Sequence, residues 1–186
     1  AGQGFVSRDL TRAISNLKPE NTQAYEVGLD WRFFNNRLGI EATFYKTNTI
    51  NQLLYIGLPL ASGYSQQYIN AGNIENKGIE LQLNGTPIRG ERFSWTTYIN
   101  FSRNVNEIIK LSDQSNRADL STSTRLASVV AVEGGSYGDL YGYAWEKDAN
   151  GNHLVNDAGL PIVKANTKIG NFNPDFLLGW GNTLSY

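Results

Sequence analysis

Residues 22–33 alternate between apolar and polar positions almost without a break. Tyr25, Val27, Leu29, Trp31 and Phe33 form one set, and Ala24, Glu26, Gly28, Asp30 and Arg32 form the other. A period of two with β-forming side chains on one face predicts a strand. Asn35 and Asn36 follow, residues that tolerate the positive φ of a tight hairpin turn. The return segment, 37–49, sets Leu38, Ile40, Ala42 and Phe44 against Gly39, Glu41, Thr43 and Tyr45. With Asn35-Asn36 as a two-residue loop, Phe33 faces Leu38, Trp31 faces Ile40, Leu29 faces Ala42 and Val27 faces Phe44. Apolar meets apolar at every step, and a one-residue slip would destroy the match. On the polar face Asp30 falls opposite Glu41, a repulsive pair unless Arg32, Arg37 or a neighbouring strand supplies a cation.

The pattern returns further on. Ile79, Leu81 and Leu83 alternate with Glu80, Gln82 and Asn84; Phe93, Trp95, Thr97, Ile99 and Phe101 alternate with Ser94, Thr96, Tyr98, Asn100 and Ser102. A five-residue loop over 88–92 would pair Gly85 with Trp95 and Leu81 with Ile99. Near the end of the chain Phe176, Leu178, Trp180, Leu184 and Tyr186 alternate with Leu177, Gly179, Gly181, Thr183 and Ser185. Five long strands are predicted, with short turns around Asn35 and Arg89 and long connections over 50–76 and 107–173. The longer connection holds a hairpin over 142–163, with turn signals at Asn150-Gly151 and Ala158-Gly159. Short turns alternating with long loops fit an antiparallel up-and-down transmembrane β-barrel, whose turns and loops lie on opposite sides of the membrane. About ten residues per strand suits a tilted crossing of the hydrocarbon layer. Tyr25, Phe33, Phe93, Phe101 and Tyr186 stand near strand ends, where interfacial aromatic girdles form. A soluble β-sandwich also alternates, and remains the rival all-β reading as a secreted glycan-binding module. Its solvent face normally carries more Lys and Glu than the Gly, Ser, Thr, Asn and Gln found here.

Composition narrows the chemistry. The 186 residues carry 17 acidic and 16 basic side chains, so net charge gives no reason to expect nucleic acid. With no cysteine, disulfides, zinc knuckles, iron–sulfur clusters and thiol catalysis are removed together. The longest apolar run, 53–60, is short and broken by Gly57 and Pro59, so no transmembrane helix is expected. Mean hydropathy of −0.37 does not exclude a barrel, whose signal is alternation. Asp148, Asn150 and Asn152 mimic the start of a calcium loop, but His153 and Gly159 occupy the places of its Gly and Glu. That stretch is read as an exposed hairpin turn. Glu26, Asp30, Arg32 and Glu41 share the polar face and are read as lumen-facing charge ladders rather than an acid–base pair. No GxSxG, phosphate-cradling loop or metal-ligand spacing occurs, so no enzyme activity, cofactor or metal is assigned. Tyr64, Tyr68, Tyr141 and Trp145, in the long connections, are candidates to stack on a ligand such as an oligosaccharide.

Four stretches carry a resemblance. They are Leu17-Lys18-Pro19-Glu20-Asn21-Thr22 running into the first strand, Asn70-Ala71-Gly72-Asn73-Ile74-Glu75-Asn76-Lys77-Gly78-Ile79-Glu80-Leu81, Glu133-Gly134-Gly135-Ser136-Tyr137-Gly138 with Tyr141-Gly142-Tyr143, and Gly170-Asn171-Phe172-Asn173-Pro174-Asp175-Phe176. In sequence and order they resemble the SusC/RagA-like family of TonB-dependent outer-membrane transporters of Bacteroidetes. The resemblance implies a barrel of about 22 strands closed over a plug, of which this chain would be part of the C-terminal third. Plug domain and TonB box would lie elsewhere, and residues 1–186 would belong to one barrel domain, with 50–76 and 107–173 as outer loops. It also implies active import of an oligosaccharide or peptide across the outer membrane, with a SusD-like lipoprotein as lid and TonB and the lipid bilayer as further partners. A structural outer-membrane barrel with no import role is the remaining alternative.

Overall fold

Alternation becomes strand at all five predicted places. The computed structural model describes residues 9–14, 16–112, 115–120 and 126–186. Its strands are β1 (Thr11–Arg12), β2 (Asn21–Phe33), β3 (Leu38–Gly57), β4 (Gln66–Arg89), β5 (Ser94–Lys110), β6 (Arg117–Asp119), β7 (Ala127–Val132), β8 (Asp139–Trp145), β9 (Val163–Asn171) and β10 (Leu177–Ser185). The helical content among the described residues is one 3-10 turn, Leu60–Ser62. The larger sheet runs β10-β5-β4-β3-β2, with the short β1 lying parallel to β4 off that path; β6-β7-β8-β9 form a second sheet. Among the described residues the larger sheet does not close on itself, and β10 and β2 end its path with one edge each unpaired. The chain is all-β, an open portion of a barrel.

Two compact units share these strands. One comprises Thr22–Thr49, Glu75–Glu107 and Asn173–Tyr186; the other comprises Ala1–Asn21, Ile50–Ile74 and Ile108–Phe172. In the first unit, the apolar set is laid out on one face and left uncovered. Val27 is 72% exposed, Phe44 57% and Trp180 71%. No buried hydrophobic side chain of the described residues lies in this unit. The second unit has an ordinary core. Leu54, Ile74, Ile108, Leu111, Ala118 and Ala131 bury one another, with Ile56, Ile69, Leu120 and Tyr137 packed around them.

The β2–β3 register follows the sequence pattern. Thr22 and Thr49 hydroxyls lie 3.0 Å apart, and the bare face of Gly28 lies against Thr43, as the predicted pairing requires. The turn is wider than two residues: it spans 34–37, and Phe34, Asn35 and Asn36 all take positive φ (53°, 54° and 62°). Between β4 and β5 the parity holds but the register shifts by two. Thr86 and Thr96 hydroxyls are 3.4 Å apart, and Gly85 lies against Thr97 rather than Trp95. A hydrogen bond from Gly90 N to Phe93 O (2.9 Å) tightens the connection and moves the pairing. A shift of two keeps every side chain on its face, which is why the pattern could not detect it. β10 pairs with β5 so that Leu178 meets Phe101, Trp180 meets Ile99 and Leu184 meets Trp95.

The long connections hold more strand than the pattern predicts. Where a loop is expected over 50–76, β3 continues to Gly57 and β4 begins at Gln66, leaving only 58–65. Asn51 takes φ 58° inside β3, which breaks the period of two without ending the strand. The 107–173 segment contains the end of β5 and the whole second sheet. Because β5 runs on to Lys110, Phe101 stands within the strand rather than at its end.

Candidate functional site

Two sets of side chains compose the candidate site, and each lies within one unit. The charged set stands on the polar face of β2 and β3. Arg32 Nε reaches Asp30 Oδ1 at 2.8 Å, while its Nη2 reaches Asp30 Oδ2 at 3.2 Å and Glu41 Oε1 at 2.6 Å. One guanidinium thus bridges the two carboxylates that the hairpin register places opposite each other. Its fork geometry allows this, where a lysine would supply a single point charge. Glu26 stays apart, four residues or roughly 13 Å along the same strand.

The same polar face continues across β3, β4, β5 and β10. Glu41, Thr43, Glu80, Gln82, Asn100 and Ser102 help to line a concavity of about 610 Å³. Next to it runs a ladder that sequence reasoning missed. Tyr45 OH donates to Asn104 Oδ1 (3.1 Å), and Asn104 and Asn106 both donate to Asn76 Oδ1 (3.1 and 3.0 Å). Tyr45 lies over Gly78, where any Cβ would come within 2.5 Å of the Tyr45 hydroxyl and of Arg103 O. A glycine inside a strand, which marks a place where another group approaches the backbone closely, is the signal that could have found it.

On the opposite face, just beyond the apolar residues, a second missed network surrounds Glu75. This carboxylate is only 7% exposed. It accepts from Lys46 Nζ (2.9 Å), Lys77 Nζ (3.2 Å) and Asn48 Nδ2 (3.3 Å), and Lys77 also lies 3.6 Å from Glu107.

The aromatic candidates belong to the other unit and divide into pairs. Tyr141 and Trp145 both stand on β8. The Arg117 guanidinium lies 5.0 Å from the Tyr141 ring centroid, and Trp145 meets His153 edge-on at 5.1 Å and is 58% exposed. Tyr68, on β4, packs at a tilt against Tyr55, with ring centroids 4.1 Å apart and their hydroxyls in contact. Tyr64 sits in the 58–65 connection, its backbone tied to the Ser62 hydroxyl.

The base of β8 is fixed by Asp139, which is 1% exposed. Its carboxylate receives Lys168 Nζ (2.7 Å), Asn171 Nδ2 (2.8 Å) and Ser136 N (3.1 Å). Burial alone would raise its pKa, but these three partners outweigh burial and hold it below the ordinary carboxylate value. The hairpin beyond Trp145 is built twice over. Asp148 Oδ1 accepts from the amides of Asn150 and Asn152, and Asn156 Oδ1 accepts likewise from Ala158 and Leu160. Gly151 and Gly159, at φ 87° and 76°, close the two turns. The Asp148 carboxyl is held low by the Asn152 side chain first, then by backbone amides, so its oxygens are committed to the turn.

Comparison with known proteins decides the family. The model described as TonB dependent receptor-like, beta-barrel, matches residues 1–185. This chain belongs to that family. TonB-dependent receptor P3 of Formosa agariphila is 33% identical over 98% of this chain and 20% of its own length. TonB-dependent receptor SusC of Bacteroides thetaiotaomicron is 35% identical over 60% of this chain and 11% of its own. The RagAB peptide transporter structure overlays with a TM-score of 0.70 at 24% identity, covering 90% of this chain and 20% of that one, a likeness of fold. The chain thus spans about a fifth or less of these relatives. Within this TonB-dependent receptor barrel, the uncovered apolar face and the polar concave face have a natural division of labour.

Proposed function

We propose that this chain forms part of the wall of an outer-membrane importer powered through TonB, taking up oligosaccharides or peptides beneath a SusD-like lipoprotein lid. The observation that carries the reading is the pair of faces in the Thr22–Thr49, Glu75–Glu107 and Asn173–Tyr186 unit. Five strands leave their apolar side uncovered while the opposite side is concave and polar. A sheet of that kind is satisfied by lipid on one side and water on the other. Likeness to the RagAB peptide transporter supports peptide as one cargo, and the resemblance to the SusC/RagA-like family adds oligosaccharide.

In this reading Glu26, Asp30, Arg32 and Glu41 line the lumen. The segments 50–76 and 107–173 face the cell exterior, where Tyr64, Tyr68, Tyr141 and Trp145 meet ligand or lid. Trp145 is the best placed of these, since its ring is exposed at the end of a strand held firmly at Asp139. The wall breaks no bond in its cargo; a plug in another part of the protein, pulled by the partner protein TonB, supplies the movement.

Uptake of labelled oligosaccharides and peptides by cells carrying the full receptor tests the proposal. Uptake should stop when TonB is deleted, and the Tyr141→Ala/Trp145→Ala receptor should bind its substrate on the order of tenfold more weakly. Uptake of both cargoes that persists without TonB would overturn the reading.

A further inference from the structure

We propose that the rim of the apolar face grips the phosphate of an anionic lipid through Lys46, Lys77 and Arg103. The inference rests on the membrane reading above and adds to it a specific headgroup chemistry.

Three neighbouring strands change character within one residue pair of one another: Lys46 lies across from Lys77, and Arg103 lies across from Ile79, one pair nearer the apolar band. On β3 the outward set Leu38, Ile40, Ala42 and Phe44 gives way to Lys46; on β4 Lys77 precedes Ile79; on β5 Arg103 follows Phe101. The register fixes these positions. Thr86 N donates to Arg37 O (2.7 Å) and Asn48 reaches Glu75. On that pairing Lys46 stands directly across from Lys77. Phe44, Lys77, Ile79, Arg103 and Val105 border one shallow depression. The rim in question is the one away from the tight turns at 34–37 and 90–93, so the leaflet is the one that meets the long connections.

Two lysines directly opposite each other repel, and the sheet accepts this only because buried Glu75 takes a bond from each. Glu75 leaves donors to spare. Each ammonium has three N–H groups, and the side chains of Lys46 and Lys77 remain 52% and 50% exposed. Arg103 is exposed and makes no ion pair among the described residues. Three cations face two carboxylates, Glu75 and Glu107, so the patch keeps a positive surplus at the rim of the apolar band, with the exposed Val105 beside it on β5. An anionic lipid has the complementary outline: acyl chains for Phe44, Ile79 and Phe101, and a phosphate at the height of the cations. Glu75 then acts as a spacer that pre-organises the two ammonium groups.

The full receptor, purified in zwitterionic detergent and exposed to a phosphorylated glycolipid, its dephosphorylated form or inorganic phosphate, is examined by native mass spectrometry. The phosphorylated lipid should stay bound, and retention should fall roughly tenfold in Arg103→Gln and further in Lys46→Ala/Lys77→Ala. Arg103→Gln removes no ion pair among the described residues and so spares the fold. Equal retention of the dephosphorylated lipid, displacement by inorganic phosphate alone, or unchanged retention in Arg103→Gln would overturn the inference. Quenching of Trp31 and Trp180 by brominated acyl chains separates the two failures. If quenching is absent, the membrane reading falls; if quenching persists without headgroup preference, only the phosphate site falls.

Discussion

Asp139 shows how one side chain can set the position of a whole strand. It is buried at the first residue of β8, and its partners come from β9 and from the turn that precedes it. Because the folded carboxyl sits below its ordinary value, the unfolded chain binds its proton more readily than the folded one. Its contribution to stability is therefore complete above the ordinary carboxylate pKa and drains away as pH falls through the depressed value. At neutral pH Asp139→Asn should cost about 2 kcal/mol, the worth of hydrogen bonds to a charged group. Amide hydrogen exchange of β8 and β9 reads this locally. Protection should drop in the variant at pH 7, and the gap from the parent should close below about pH 4. A gap independent of pH would mean that Asp139 acts through shape alone.

At the scale of elements, β4 depends on the absence of a side chain at Gly78. The Tyr45 ring fills that space from β3, and the Arg103 carbonyl closes it from β5. Gly78→Val pushes against backbone as well as ring, so β4 cannot relax by a rotamer change alone. A loss of about 1–3 kcal/mol is expected, read as a lower temperature for the heat-dependent gel shift of the folded receptor. Tyr45→Ala combined with Gly78→Val should recover part of that loss. An unchanged shift temperature would show that the Tyr45–Gly78 contact carries no strain.

The same strands show what alternation can and cannot specify. Parity was legible because Leu38 to Phe44 and Ile79 to Leu83 leave only one way to keep apolar residues on one side. Register was legible only where the turn fixed it, as at Asn35-Asn36. A hydrogen bond from Gly90 to Phe93 could move β5 by two without offending any side chain. Strand ends were hidden, since Asn51 flips the pattern inside β3; beyond it Leu54 and Ile56 pack into the core while Leu53 and Tyr55 stay exposed, so both sets are apolar. Of the site, the Asp30–Arg32–Glu41 bridge was foreseeable as a repulsion that needed a cation. The Glu75 network was not, because its members come from three strands whose pairing the pattern alone does not give.

For the whole molecule, the decisive quantity is the apolar face that this chain leaves to others. Trp31, Trp180, Leu178 and Leu184 are each more than half exposed, as are Val27 and Phe44 on neighbouring stretches of the same face. Two strand edges, β2 and β10, offer unpaired backbone groups as well. Either feature alone invites self-association, and together they leave an isolated 186-residue polypeptide two routes to aggregation. The small core around Ile108 and Val130 does not relieve this, because both residues belong to the other unit. Expressed alone in detergent-free buffer, the chain should sediment as heterogeneous aggregate and give no cooperative melt. Detergent micelles should reduce aggregation by covering the apolar face, yet leave the edges free to pair, so a mixture of oligomers is expected there. A single monomeric species with a sharp thermal transition in plain buffer would show that the exposed face can be buried within this chain, and would remove the main support for a lipid-facing wall.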